Sequence, residues 1–164
     1  MSLRRLVLPL VVCLAAALAL APPASASTHR HHPAGHVRCL PVDATGVGQD
    51  LGGGRTTATI SVHGVEVGTT AAAFTVTGVV GTVASFTGPI TFTGLGGTLT
   101  AQVTGTLDMA TGAFTSTSTS LAGTGPFRHV TGDLTFTGTE NLSTLAFTES
   151  ITGQLCRAHG HGRH

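Results

Sequence analysis

Along the middle of this chain, apolar and hydroxyl-bearing side chains take turns with a period of two. Ala72, Phe74 and Val76 are interleaved with Thr75 and Thr77. Phe86, Ile90 and Phe92 stand against Thr87, Thr91 and Thr93, and Leu99, Ala101, Val103 and Leu107 hold the odd positions. Leu134 and Phe136 alternate with Thr135 and Thr137, and Leu145, Phe147, Ile151 and Leu155 form a last set. Successive side chains of a β-strand point to opposite faces, so this pattern buries one face and wets the other. Threonine suits the wet face because its branched Cβ favours the pleated backbone. No segment repeats its apolar residues three and four apart, as a helix requires.

Glycine punctuates the pattern. Thr-Gly pairs recur at 77–78, 93–94, 111–112, 131–132 and 137–138, and Gly52–Gly54 form a flexible connection. Asp108-Met-Ala-Thr-Gly112 reads as a hairpin loop with glycine at the left-handed position. The spacing predicts eight strands, near 43–49, 55–63, 70–79, 83–93, 98–107, 113–121, 132–139 and 144–155. Short strands at this spacing make a barrel or a sandwich.

The first 26 residues have the layout of a secretory signal. Arg4 and Arg5 are followed by the apolar run Leu6–Leu20, then Pro22-Pro23 and the small-x-small site Ala24-Ser25-Ala26. Cleavage after Ala26 removes Cys13 and exports the chain, leaving Cys39 and Cys156. Two cysteines in an oxidising compartment usually pair. The bridge would close a loop of about 118 residues, for which chain-entropy estimates give roughly 4–5 kcal/mol. It would tie the first strand to the last. Those strands are neighbours in an up-and-down barrel, where pairing them removes both exposed edges. A sandwich also accommodates the bridge, but the barrel is the preferred reading: all-β, single, antiparallel, eight-stranded and closed by the disulfide over 39–156.

The flanks, 27–38 and 157–164, have almost no apolar content and read as disordered tails. They carry His29, His31, His32, His36, His159, His161 and His164. Clustered neutral imidazoles bind Zn, Ni or Cu ions, so weak, pH-dependent metal binding at the tails is one expectation; no other cofactor is expected. Residues 39–156 hold two arginines, Arg55 and Arg128, against seven acids, a net of −5. No basic patch is available for a phosphate backbone, so nucleic acid is not an expected partner, and after cleavage neither is a membrane.

One stretch, Leu121-Ala-Gly-Thr-Gly-Pro-Phe-Arg-His-Val-Thr-Gly-Asp-Leu-Thr-Phe-Thr-Gly138, resembles the Gly-Thr-Gly-x-Phe…Gly hairpin of the allene oxide cyclase-like barrels. That group includes plant dirigent proteins and small bacterial relatives. Gly123, Thr124, Gly125, Phe127 and Gly132 carry the match. The resemblance implies an eight-stranded barrel with a cavity for a small apolar molecule. It implies no activity: plant members use acidic groups with tyrosines, this chain has no Tyr, and no catalytic position matches residue by residue.

Within the core Glu149 is the most unusual residue. It shares parity with Phe147 and Ile151, so a regular strand points it inward. A carboxylate there needs a partner or a raised pKa, which makes it the candidate acid or base. A bulge that turns it outward, or a place at a wet barrel mouth, is the alternative. Arg128, His129 and Asp133 follow the Gly-Thr-Gly turn and are candidate anion ligands at a barrel mouth. His63, out of phase with Ile60 and Val62, reads as a surface residue. Residues 115–120, polar on both faces, read as an edge or as the lining of a wet opening. The expectation is a secreted module that binds a small apolar ligand or serves as a stable scaffold. An isomerase or cyclase of the same fold and metal binding by the tails are the alternatives.

Overall fold

The computed structural model describes residues 37–158. It contains nine strands and a single 3₁₀ turn, Gly125–Phe127. The strands are β1 (Val37–Asp50), β2 (Arg55–Val62), β3 (Val65–Ala73), β4 (Thr75–Val80), β5 (Val83–Gly94), β6 (Gly97–Asp108), β7 (Ala113–Gly123), β8 (Val130–Glu140) and β9 (Ala146–Ala158). Each pairs antiparallel with its neighbours in the order β3-β2-β1-β9-β8-β7-β6-β5-β4, and a β3–β5 ladder closes the ring. β3 and β4 are two pieces of one strand along β5, so the barrel has eight staves.

The break between those pieces has a local cause. The register places Phe74 and Ala73 against Gly88 and Pro89 of β5. Proline has no N–H to give the ladder, so Pro89 leaves a rung empty. The Phe74 N–H turns away and donates to Gly54 O at 2.6 Å. Gly54 sits at φ +74°, and any side chain there would run into the Phe74 carbonyl.

Cys39 and Cys156 face each other in the β1–β9 register and are joined by the disulfide. Both terminal strands run past it, to Val37 and Ala158, so Val37, Arg38, Arg157 and Ala158 belong to the barrel and not to the tails. Sequence patterning misses this extension because Val37–Pro41 are all exposed; backbone pairing and the disulfide hold the ribbon, not burial. Residues 27–36 and 159–164, with all seven tail histidines, and the signal segment lie outside the described residues.

Two other boundaries differ from expectation. The third strand begins at Val65, where Gly68 and a bulge opposite Ile60 and Ser61 obscure the alternation. Leu145 is not in the last strand. It sits at φ +60° in the β8–β9 connection, where its N–H donates to Asn141 O at 2.6 Å. The 108–112 loop is as expected, with Gly112 at φ +75° and its N–H donating to Asp108 O at 2.7 Å.

The two ends of the barrel are packed differently. At the end that carries the disulfide, Ile60, Leu99, Ala101, Val103 and Leu134 are buried and fill the lumen, with Val103 at 0% exposure. Phe92 and Phe127 close that end edge to face, with ring centroids 5.8 Å apart. The other end is hollow.

Candidate functional site

The hollow end lies under the connections 51–54, 81–82, 109–112 and 141–145. It encloses a cavity of about 260 Å³, lined by the rings of Phe74, Phe86, Phe114, Phe136 and Phe147, by small apolar residues and by Glu149. The rings keep the space open by leaning on each other: Phe74 and Phe86 have centroids 4.9 Å apart, and Phe114 and Phe147 meet edge to face at 6.0 Å.

Glu149 points inward between Phe147 and Ile151, so the strand is regular where it matters. Its cross-strand partners are Gly46 on β1 and Gly138 on β8. This pairing is what admits a carboxylate. A Cβ on residue 46 would lie 2.6 Å from Glu149 Oε1 and 2.7 Å from its Cγ. A Cβ on residue 138 would lie 2.5 Å from the Phe114 ring that walls the cavity. Burial pushes the Glu149 carboxyl from 4.5 up to about 7, and no charged or hydrogen-bonding neighbour offsets it.

Two further acids line the same cavity, and sequence reasoning missed both. Asp50 ends β1 and Glu140 ends β8, the two strands that flank β9. Both share the inward parity of their strands, Asp50 with Ala44 and Gly46, Glu140 with Leu134 and Phe136. That parity is the signal in the sequence; the expected strands stopped one residue short of each acid. Asp50 Oδ1 accepts the Gly52 N–H at 2.7 Å. The Glu140 carboxyl is raised from its ordinary value, first by burial and then by the negative charge of Asp50. The cavity therefore has an acidic wall on β1, β9 and β8, facing rings from β3–β5 and β7.

The polar stretch of β7 also belongs here. Ser116, 4% exposed, and Thr70, 9% exposed, put hydroxyls into the cavity. The β7–β8 ladder ends at Thr117–Thr135. One residue further on, Ser118 Oγ accepts the Leu134 N–H at 2.8 Å in place of a carbonyl. The 115–120 segment is thus cavity lining over its first half and a loosened seam over its second.

Arg128, His129 and Asp133 are not part of this site. They lie at the disulfide end, exposed, around the β7–β8 connection. No hydrogen bond or ion pair among the described residues joins the three; Asp133 Oδ1 instead accepts Gln154 Nε2 at 3.3 Å. A 3₁₀ turn, with Arg128 N–H donating to Gly125 O, carries the first two away from the ladder that holds Asp133. His63 sits exposed in the β2–β3 turn at φ +50°, as expected. The disulfide is at the end away from the cavity. Among the described residues no three His, Cys, Asp or Glu side chains converge closely enough to hold a metal ion, the three cavity acids included.

No protein-family model and no curated protein matches this chain.

Proposed function

We propose that this protein is an exported binding module that holds one small, largely apolar molecule in the Glu149 end of its barrel. The observation that carries this reading is the cavity itself: about 260 Å³ walled by five phenylalanines, in a barrel whose other half is packed solid. Had Phe74, Phe86, Phe92, Phe136 and Phe147 filled the lumen, an inert scaffold would be the better reading; Phe92 packs on Phe127 at the closed end, and the other four line a space. The volume is near the lower end of ordinary ligand pockets. Apolar cavities of about 150 Å³ already bind benzene. The signal-like first 26 residues and the disulfide support export, and the allene oxide cyclase-like hairpin supports a barrel that takes small molecules.

A second reading has its own support. An acid with a pKa near 7 inside an apolar cavity is suited to general acid–base chemistry, which fits an isomerase or cyclase with Glu149 as the catalytic group. The two readings differ in what leaves the cavity: a binder releases its ligand unchanged.

Native mass spectrometry of the protein as secreted by its own host, without affinity purification, tests the binding reading. A stoichiometric organic adduct is expected, and Ala72→Trp, which puts an indole into the cavity, is expected to abolish it. A bare chain, together with no toluene-induced shifts of cavity resonances in NMR spectra, would overturn the proposal.

A further inference from the structure

Every titratable side chain that reaches the cavity is an acid: Asp50, Glu140 and Glu149. The described arginines, Arg38, Arg55, Arg128 and Arg157, do not line it, and neither do His63 and His129. An unpaired buried carboxylate is costly, so it takes either a cation as partner or a proton. Here the inward positions that flank Glu149 on the neighbouring strands are both glycine, which gives the carboxylate space and no partner. The missing counter-charge is thus a place that a ligand can fill.

We infer that the cavity takes a small protonated amine carried on an apolar ring or cage, with the ammonium group against Glu149 on the acidic wall and the hydrocarbon among the phenylalanines. This rests on the binding reading above and names its ligand class. Three features separate an amine from other cations and other small molecules. The acids lie on three adjacent strands without converging on a point, so they offer no cage for a bare metal ion. The opposite wall presents aromatic faces, which attract ammonium groups as well as hydrocarbon. An anionic ligand of the same shape would meet like charge from these acids, and a neutral one would leave Glu149 without a counter-charge.

Binding is then linked to pH. The other titratable groups that line the cavity are Asp50 on β1 and Glu140 on β8, both acids, and burial raises the Glu140 carboxyl as it does that of Glu149. An ammonium ligand favours the ionised Glu149 carboxylate, so its affinity rises as pH climbs through the Glu149 midpoint at about 7 and levels off beyond it.

The test is calorimetric and NMR titration of the full secreted chain with three near-isosteres: 2-phenylethylamine, 2-phenylethanol and phenylacetate. At pH 7.5 the amine is expected to bind at least tenfold more tightly than the alcohol, with phenylacetate weakest and shifts confined to cavity residues. Between pH 5 and 7 only the amine should gain affinity. Glu149→Gln is expected to bring amine and alcohol within about threefold of each other, and Glu140→Gln, at the rim, to narrow the gap partly. If the alcohol binds as tightly as the amine, the amine inference is overturned and the binding reading stands. If none of the three perturbs the cavity, both fall.

Discussion

Raising the Glu149 carboxyl from 4.5 to about 7 means that the folded protein holds a proton more tightly than the unfolded chain does. Between those two values the native state binds more protons, so unfolding free energy falls as pH rises and is flat above pH 7. The span corresponds to at most about 3 kcal/mol. Urea denaturation at pH 5 and pH 8 should therefore show the native protein less stable at pH 8. Glu149→Gln should remove most of that loss, gaining up to about 3 kcal/mol at pH 8. A smaller slope should survive in the variant, because the Glu140 carboxyl is raised in the same direction. Equal stability of the two proteins at pH 8 would mean that Glu149 is solvated. A residue that lowers stability at neutral pH, in a wall otherwise made of glycine and phenylalanine, is what a functional group looks like.

At the scale of the element, the seam between β7 and β8 is laddered over only part of its length. Backbone pairing stops after Thr117, and the buried Leu134 depends on a serine hydroxyl for its N–H partner. Ser118→Ala deletes that acceptor and leaves the donor unanswered, which costs about 1–3 kcal/mol. Amide hydrogen exchange should locate the loss: protection falls at Leu134, while the buried Ala58 on β2, paired on both sides and distant from the seam, is unchanged except for the drop in global stability. A uniform fall at both sites would show that the seam is not separately weak. The same reasoning explains what element patterns reveal. β2, β5, β6 and β8 alternate cleanly and their ends are legible to within two or three residues. The β3–β4 break is not legible in residues 65–80, because its cause, Pro89, lies on the partner strand.

For the molecule as a whole, the disulfide and the cavity occupy opposite ends of the barrel, and their contributions separate. The bridge spans a sequence separation of 117 and joins strands that are already in register. The chain-entropy estimate for its removal is roughly 4–5 kcal/mol, with strain and residual denatured structure lowering the measured value. A Cys39→Ser, Cys156→Ser double variant should therefore unfold at a markedly lower denaturant concentration. In the folded baseline, NMR shifts of Phe114, Phe147 and Glu149 should match those of the native protein. Shifts at those residues would mean that barrel closure at one end governs the site at the other. The long terminal ladder, Val37–Gln49 against Ala146–Ala158, argues that closure survives without the bridge.

Local patterning along the chain is enough to place the strands, the inward face of each, the cysteine pair and the inward Glu149. These follow from a two-residue period that the backbone enforces locally, and from a count of cysteines. It also contained the parity of Asp50 and Glu140, although not the fact that their strands reach that far. Which end of the barrel is filled and which is hollow emerges only once the strands are assembled. That depends on side-chain volumes summed at one height across eight strands that are distant in sequence. Ile60, Leu99, Ala101, Val103 and Leu134 meet at one level, while Gly46 and Gly138 flank Glu149 at another. The same non-local geometry carried Arg128, His129 and Asp133 to the far end and gathered three acids, distant in sequence, onto one wall.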